Sequence, residues 1–364
     1  MTERDEGRIR AGCQDMDQER IASLELARRG LFRPVRRDRS GQTGPTPWAA
    51  RGPLWRPAGR GWWVPTRVER STDQRILEAS VMLPDHGGVT GWAGLRWRGA
   101  RWFDGVGPSG LDRPVPLVTA GSHIRAQPGV LVSKERLDPR DLVVVDAVRT
   151  TTEVRSAWFE MRYAFDEFEA AVVLSMAAFD DLVSLDEMAE FEWLHPGWTG
   201  APRCRGGLAL AVENAWSPQE VRVLGVWCLY AELPRLLCNR PIFDRRGAHV
   251  LTPDLLDLEA GLAIEYDGPT HLAVGARAKD VRREELYRTH RIDLLRVLGP
   301  HLADRWALVE RMQQARRRAR FEPASRRTWT IEQPDWWVPT HTVALRRALP
   351  DQDRDRLLGY RRAA

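Results

Sequence analysis

Apolar positions along this chain change period several times, and each change marks a new element. Ser71 followed by Gln74 has the spacing of a capping box. Ile76, Ala79, Ser80 and Leu83 then return at helical intervals, which predicts a helix opening after Ser71. Residues 115–119, 130–133 and 142–145 are short β-rich runs separated by Gly, Pro and Asp, and they read as strands. From Trp158 to Glu192 the pattern is helical again. Its most apolar stretch, Ala170 to Phe179, is closed by Glu169 and Asp180. That is far short of the roughly 20 residues a membrane-spanning helix needs.

The next helix start is stronger. Ser217-Pro-Gln-Glu220 puts serine at the N-cap, proline in the first turn and glutamate at the third helical position. Val221, Leu224, Cys228 and Ala231 give its buried stripe, and Pro234 limits it. After Pro241 come short strand-like runs divided by Asp244-Arg-Arg-Gly247, a turn candidate. Residues 281–287 read as helix and 291–297 as a closing strand. One motif recurs, Gly61-Trp-Trp-Val-Pro-Thr66 and Asp335-Trp-Trp-Val-Pro-Thr340. Five shared residues are too few to establish a repeat, and chance or a shared packing role accounts for them.

A length of 364 residues suits two or three domains, at about 100–200 residues each. With 43% apolar and 29% charged residues, the composition is that of a folded chain. The first residues mix Glu3, Arg4, Asp5, Glu6 and Arg8 with no apolar segment, so no secretory signal is expected. Cys13, Cys204, Cys228 and Cys238 form no C-x-x-C pair, which fits neither a zinc knuckle nor a disulfide scaffold. A reducing cytoplasm is the expected setting, without membrane attachment. All 55 basic residues except Lys134 and Lys279 are arginine, a bias that a GC-rich genome explains. Their placement says more. Arg28 to Arg39 holds six arginines against Asp38 alone, 151–195 carries eleven acids against two arginines, and 277–320 turns basic again. Such alternation predicts distinct modules.

The candidate chemistry lies between the predicted helix at Ser217 and the closing strand. If Glu259-Ala260 is the tip of a hairpin, cross-strand partners pair Leu258 with Gly261, Leu256 with Ala263 and Asp254 with Glu265. Directly opposed Cβ atoms lie about 5 Å apart. Asp267 points to the same face as Glu265. Three carboxylates then converge, and like charges so placed call for a compensating cation. A register slip of one would turn Asp254 to the other face.

These residues carry a resemblance. Pro253-Asp254, ten residues, then Glu265-Tyr266-Asp267-Gly268 and His271 resemble the core of the PD-(D/E)XK nuclease superfamily. The nearest likeness is to the branch similar to the very-short-patch mismatch repair endonuclease. Ser217–Glu220 and Asp280-Val-Arg-Arg283 match that branch's flanking helices, over roughly residues 215 to 300. The superfamily's lysine two residues after the second acid is replaced here by Asp267, a substitution the branch shares. Residues 61 to 215 resemble, through Gly87-Gly-Val-Thr-Gly-Trp92 and Thr150-Thr-Thr152, actinobacterial type IV antitoxin-like transcriptional regulators. Those usually begin with a winged helix, which residues 1–60 match poorly.

The resemblance implies an α/β protein, α+β overall. A basic, loop-rich segment (1–60) and a mixed α/β module (61–214) would precede a restriction-endonuclease-like three-layer domain (215–322) and a C-terminal extension (323–364). It implies a metal-dependent DNA endonuclease, with Mg²⁺ or Mn²⁺ held by Asp254, Glu265 and Asp267. Glu220, His271 and Lys279 would be further catalytic groups, and Arg277, Arg282 and Arg283 would contact DNA. The alternative is a non-catalytic DNA-binding regulator or antitoxin of the same fold, with a toxin as partner. Bland roles stand beside each assignment. Glu220 is fully explained as a capping-box partner, His271 as an exposed loop residue, and the basic residues of 277–283 as a solvated helix face. Trp62, Trp63, Trp336 and Trp337 are explained by packing as well as by base stacking.

Overall fold

The computed structural model describes residues 26, 29–125, 127–268 and 274–362, without the side chains of 274–280 and 362. His271 therefore lies outside the described residues, as do the side chains of Arg277 and Lys279. The chain has mixed α and β content and divides into two units, 1–159 and 160–364. No helix among the described residues is long and apolar enough to cross a membrane.

In unit 1, β1 (Val35–Arg36), β2 (Trp55–Gly59) and β3 (Trp62–Pro65) make a small antiparallel sheet in the order β1-β3-β2. Ser71 caps α1 (Thr72–Ser80) by accepting the Gln74 N–H, as its spacing predicts. Next come β4 (Gly88–Val89), α2 (Gly91–Trp97), β5 (Val115–Val118), β6 (Val130–Ser133), β7 (Leu142–Val145), β8 (Val148–Thr151) and α3 (Glu153–Arg162). The strands form one sheet in the order β6-β5-β4-β8-β7. Val89 pairs with Thr150, and the Thr151 hydroxyl donates to Thr90 Oγ1 at 2.9 Å, so the two sequence landmarks of this module meet at the sheet's centre. The first Trp-Trp-Val-Pro copy is β3, whereas Trp336 and Trp337 belong to no strand. The echo is not a structural repeat.

Unit 2 opens with α4 (Glu167–Phe179), α5 (Leu185–Leu194), α6 (Ala201–Leu210) and α7 (Pro218–Gly225). The single helical stretch expected to Glu192 is interrupted where Asp166 and Ser184 cap new helices. The α4–α6 contact is close. A Cβ at Gly207 would stand 2.6 Å from Ala170 Cβ and 3.0 Å from its carbonyl carbon. Backbone cannot rotate away as a side chain can. Gly207→Ala is expected to cost about 1–3 kcal/mol through overpacking, read as a lowered melting temperature.

After α7 come β9 (Leu237–Cys238), β10 (Ile242–Asp244), β11 (His249–Leu251), β12 (Leu255–Asp257), β13 (Leu262–Asp267), α8 (Val274–Thr289) and β14 (Asp293–Leu298). The chain ends through α9 (Gly299–Ala303), α10 (Arg305–Arg318), β15 (Trp329–Thr330), α11 (Val343–Arg347) and α12 (Asp351–Leu357). The main sheet runs β14-β13-β12-β9, with β13 and β14 parallel and the other pairs antiparallel. Alternation along β12 and β13 sorts the core. Leu255 and Ile264 pack with Leu224 of α7 and Leu308 and Met312 of α10 on one face. Leu256 and Ala263 pack with Tyr287 of α8 on the other. The smaller sheet β11-β10-β15 draws residues 329–330 of the C-terminal extension into this unit.

Candidate functional site

The hairpin sets the site. Its ladder pairs Leu255 with Ile264, Leu256 with Ala263 and Asp257 with Leu262. The connection is a four-residue turn, 258–261, with Gly261 at φ +68°. Gly261 N–H donates to the Asp257 carbonyl and Ala260 N–H to Asp257 Oδ1, each at 3.0 Å. The expected tip at Glu259-Ala260 is thus wider, while the register is the one the alternation predicts. One step past Leu255 and Ile264, the pattern sets Asp254 opposite Glu265. Tyr266 N–H holds Asp254 Oδ2 at 2.8 Å, and Asn239 N–H donates to the Asp254 carbonyl at 2.8 Å.

Glu265 is 9% exposed. Its Oε1 accepts from Arg283 Nε (3.1 Å), Arg283 Nη2 (2.6 Å) and the Tyr287 hydroxyl. Arg283 and Tyr287 are four residues apart on α8 and so share a face. Arg283 Nη2 also reaches the Thr252 carbonyl at 2.6 Å, tying α8 to the chain just before Asp254. Among the described residues, Asp254 Oδ1 and Glu265 Oε2 accept no hydrogen bond.

Glu220 approaches from α7. Its Oε1 accepts the Ser217 hydroxyl at 2.8 Å, and its Oε2 accepts Trp216 N–H at 2.8 Å and Asn239 Nδ2 at 2.6 Å. The capping role expected from the sequence is present, and it reaches one residue further back than a capping box. Asn239, at φ +44°, links Glu220 to the Asp254 backbone. Neither Asn239 nor Tyr287 was singled out by sequence. No local pattern marks Asn239, and the only sign of Tyr287 is its spacing from Arg283.

Asp267 behaves differently from the other acids. It stands on the face of Glu265, but its Oδ2 accepts from Arg296 at 2.9 Å, and Arg296 also pairs with Glu284. The acids whose charges act most directly on Asp254 are Glu265 and Glu220. Burial, then repulsion from those two, pushes the Asp254 carboxyl well above the usual range. Burial also raises Glu265, against the pull of Arg283 and Tyr287, and takes Glu220 up to about 7. Arg282 is exposed on α8, whereas Arg283 is committed to Glu265.

A carboxyl raised by burial binds its proton more tightly in the folded state. Its contribution to stability is therefore complete below the unfolded value, near 4.5, and is lost as pH rises towards about 7 for Glu220. Urea midpoints are expected to decline between about pH 4.5 and 7, and Glu220→Gln to flatten that decline.

Opposed, partly desolvated carboxylates, each with one oxygen that accepts no hydrogen bond among the described residues, suit a hard divalent cation in donor chemistry. No group of three or more His, Cys, Asp or Glu among the described residues is arranged to hold an ion. Mg²⁺ needs only one or two carboxylates, with water and phosphate oxygens completing its shell. No family model, curated protein or solved structure matches this chain.

Proposed function

We propose that Asp254 and Glu265 hold a Mg²⁺ or Mn²⁺ ion and that the protein hydrolyses phosphodiester bonds of DNA. One observation carries the reading. Half-buried Asp254, just before β12, stands opposite buried Glu265 of β13, whose charge raises the Asp254 carboxyl, and each keeps one oxygen that accepts no hydrogen bond among the described residues. An acid pair of that kind is costly unless a cation joins it. Bound there, the ion would supply positive charge to a phosphate and make a water molecule more acidic.

The chain's own groups do the positioning. Tyr266 N–H fixes one oxygen of Asp254, and Arg283 with Tyr287 fixes one oxygen of Glu265. Glu220 and Asn239 brace the backbone at Asp254 from α7 and from the end of β9. Exposed Arg282 is available to a phosphate, and Asp267, held by Arg296, orients the end of β13.

A second reading has its own support. Arg283 already neutralises much of the Glu265 charge, as it would in a DNA-binding regulator or antitoxin-like protein that keeps the acids as a strut. Plasmid and oligonucleotides incubated with the purified protein in Mg²⁺, Mn²⁺ or EDTA separate the two. Cleavage that requires the divalent ion supports hydrolysis. DNA binding with no cleavage under any of these conditions supports the regulator.

A further inference from the structure

We propose that one end of the small sheet in unit 1 is a binding surface for the sugar–phosphate backbone of DNA, independent of hydrolysis at Asp254. The antiparallel register places its residues. Arg36 pairs with Trp62, so the chain leaving β1 passes the turn at Arg60 and Gly61 that joins β2 to β3. Arg37 and Arg39 follow Arg36 directly, and the short loop after them returns at once, with Asp38 N–H donating to the Pro45 carbonyl. Arg36, Arg37, Arg39 and Arg60 thereby gather at one end of the sheet, and all four are exposed.

None of the four has an ion-pair partner among the described residues. The nearby acid, Asp38, is used within its own loop. It accepts from Ser40 N–H, Gln42 N–H and Thr43 N–H at 3.0 Å each and from the Ser40 hydroxyl at 2.6 Å. Those donors hold its carboxyl well below the usual range, so it stays ionised while forming no bridge to a guanidinium. Arg36 lies over the Trp62 ring, its guanidinium carbon 4.2 Å from the centroid. Gly61 makes room for it: a Cβ there would stand 3.0 Å from Arg36 Nη1. A guanidinium held flat in this way has lost rotational freedom before any ligand arrives, and its planar N–H edge matches phosphate oxygens.

Some exposed arginines elsewhere, such as Arg140, Arg205 and Arg356, meet a carboxylate, at 2.7 Å, 2.7 Å and 2.9 Å, while others, such as Arg51 and Arg282, have no ion pair among the described residues; what marks this sheet end is that four gather there. An anionic bilayer is a poorer match than nucleic acid. The exposed Leu54 lies at the opposite end of the sheet, beside the Trp55–Pro65 pair, and the one large exposed apolar side chain that follows the loop closing at Pro45 is Trp48, a ring that can also stack on a base.

The test is an affinity measurement on the full chain in EDTA, with a short fluorescent DNA duplex over a range of salt. Arg37→Gln, Arg39→Gln and Arg60→Gln together remove three charges and leave the Arg36–Trp62 stack in place. Affinity is expected to fall on the order of tenfold or more at low salt, and the log–log salt slope to flatten by about 2–3 units. A control triple, Arg140→Gln, Arg205→Gln and Arg356→Gln, changes net charge equally and is expected to leave the slope as in the wild type. Equal losses in both triples, an unaltered slope in the first, or binding to phosphatidylglycerol vesicles but not to DNA would each overturn the proposal. Because cleavage is not measured, an inactive acid site has no bearing on the result.

Discussion

Asp254→Asn is expected to abolish divalent-dependent cleavage while DNA binding stays the same or tightens slightly. Asparagine keeps the size of the side chain, and its Oδ1 can still accept the Tyr266 N–H that fixes Asp254 at 2.8 Å. The hairpin should therefore survive. What disappears is a negative charge beside Glu265 and Glu220, two acids whose repulsion already raises the Asp254 carboxyl. Losing that charge removes half of the carboxylate pair proposed to hold the ion. Removing even an outer partner of a metal ligand costs about 10–100-fold, so loss of the ligand itself should exceed that. The same loss lessens repulsion of phosphate, hence the unchanged or tighter binding. Gel cleavage assays in Mg²⁺ or Mn²⁺, run beside binding titrations in EDTA, check both halves. Cleavage at the wild-type rate by the variant would place the activity at other residues or in a contaminant.

Much of this arrangement is legible in the sequence because its causes are local. Ser71, Ser217 and their partners three residues on open helices where their spacing says, since a side-chain oxygen on an orphan N–H needs no tertiary help. The register of β12 and β13 was readable although the turn was not. Alternation admits only one parity that buries Leu256 with Ala263, and it tolerates a tip of two residues or four. Asp254 and Glu265 follow from that parity.

What the sequence hides is tertiary. Asn239 lies on no periodic pattern, and it joins Glu220 to Asp254 only because β9 pairs with β12. Tyr287 reaches Glu265 only once α8 is laid on the Leu256–Ala263 face. Asp267 shares the parity of Glu265, but the parallel strand β14 brings up Arg296 and binds it. In residues 1–60, Gly and Pro suggest loop, yet β1 and β2 are short strands stabilised by pairing with β3. Pairing of that kind leaves almost no trace in local propensity.

The largest stability effect is expected at Asp181, where Arg346, Arg354 and Arg361 fasten the C-terminal segment to the link between α4 and α5. Asp181 has a left-handed backbone, φ +60°, just past the end of α4, and its side chain is 7% exposed. Arg346 Nε meets it at 2.6 Å, and Arg361 binds both oxygens, at 2.8 and 2.9 Å. Arg354 adds a longer contact of 3.3 Å. The Arg346 side chain is 1% exposed, so truncating Asp181 to alanine leaves a buried guanidinium with the Thr340 and Ala178 carbonyls but no carboxylate partner among the described residues. Breaking one side of a buried pair costs about 3–5 kcal/mol, and Asp181→Ala should lower stability by that order in a urea titration. Burial alone would raise the Asp181 carboxyl, but Arg361 and Arg346 outweigh it and the net shift is downward. A depressed carboxyl contributes fully above its unfolded value, near 4, and loses its contribution as pH falls through the folded one. The gap between wild type and Asp181→Ala should therefore hold from pH 5 to 8 and narrow in acid. Arg346→Met in the Asp181→Ala background supplies the decisive comparison. If an unpaired buried charge is the main cost, removing it should recover part of the loss, whereas the same change in wild type should destabilise. Additive effects of the two changes would show that the buried pair is not the source of the stability.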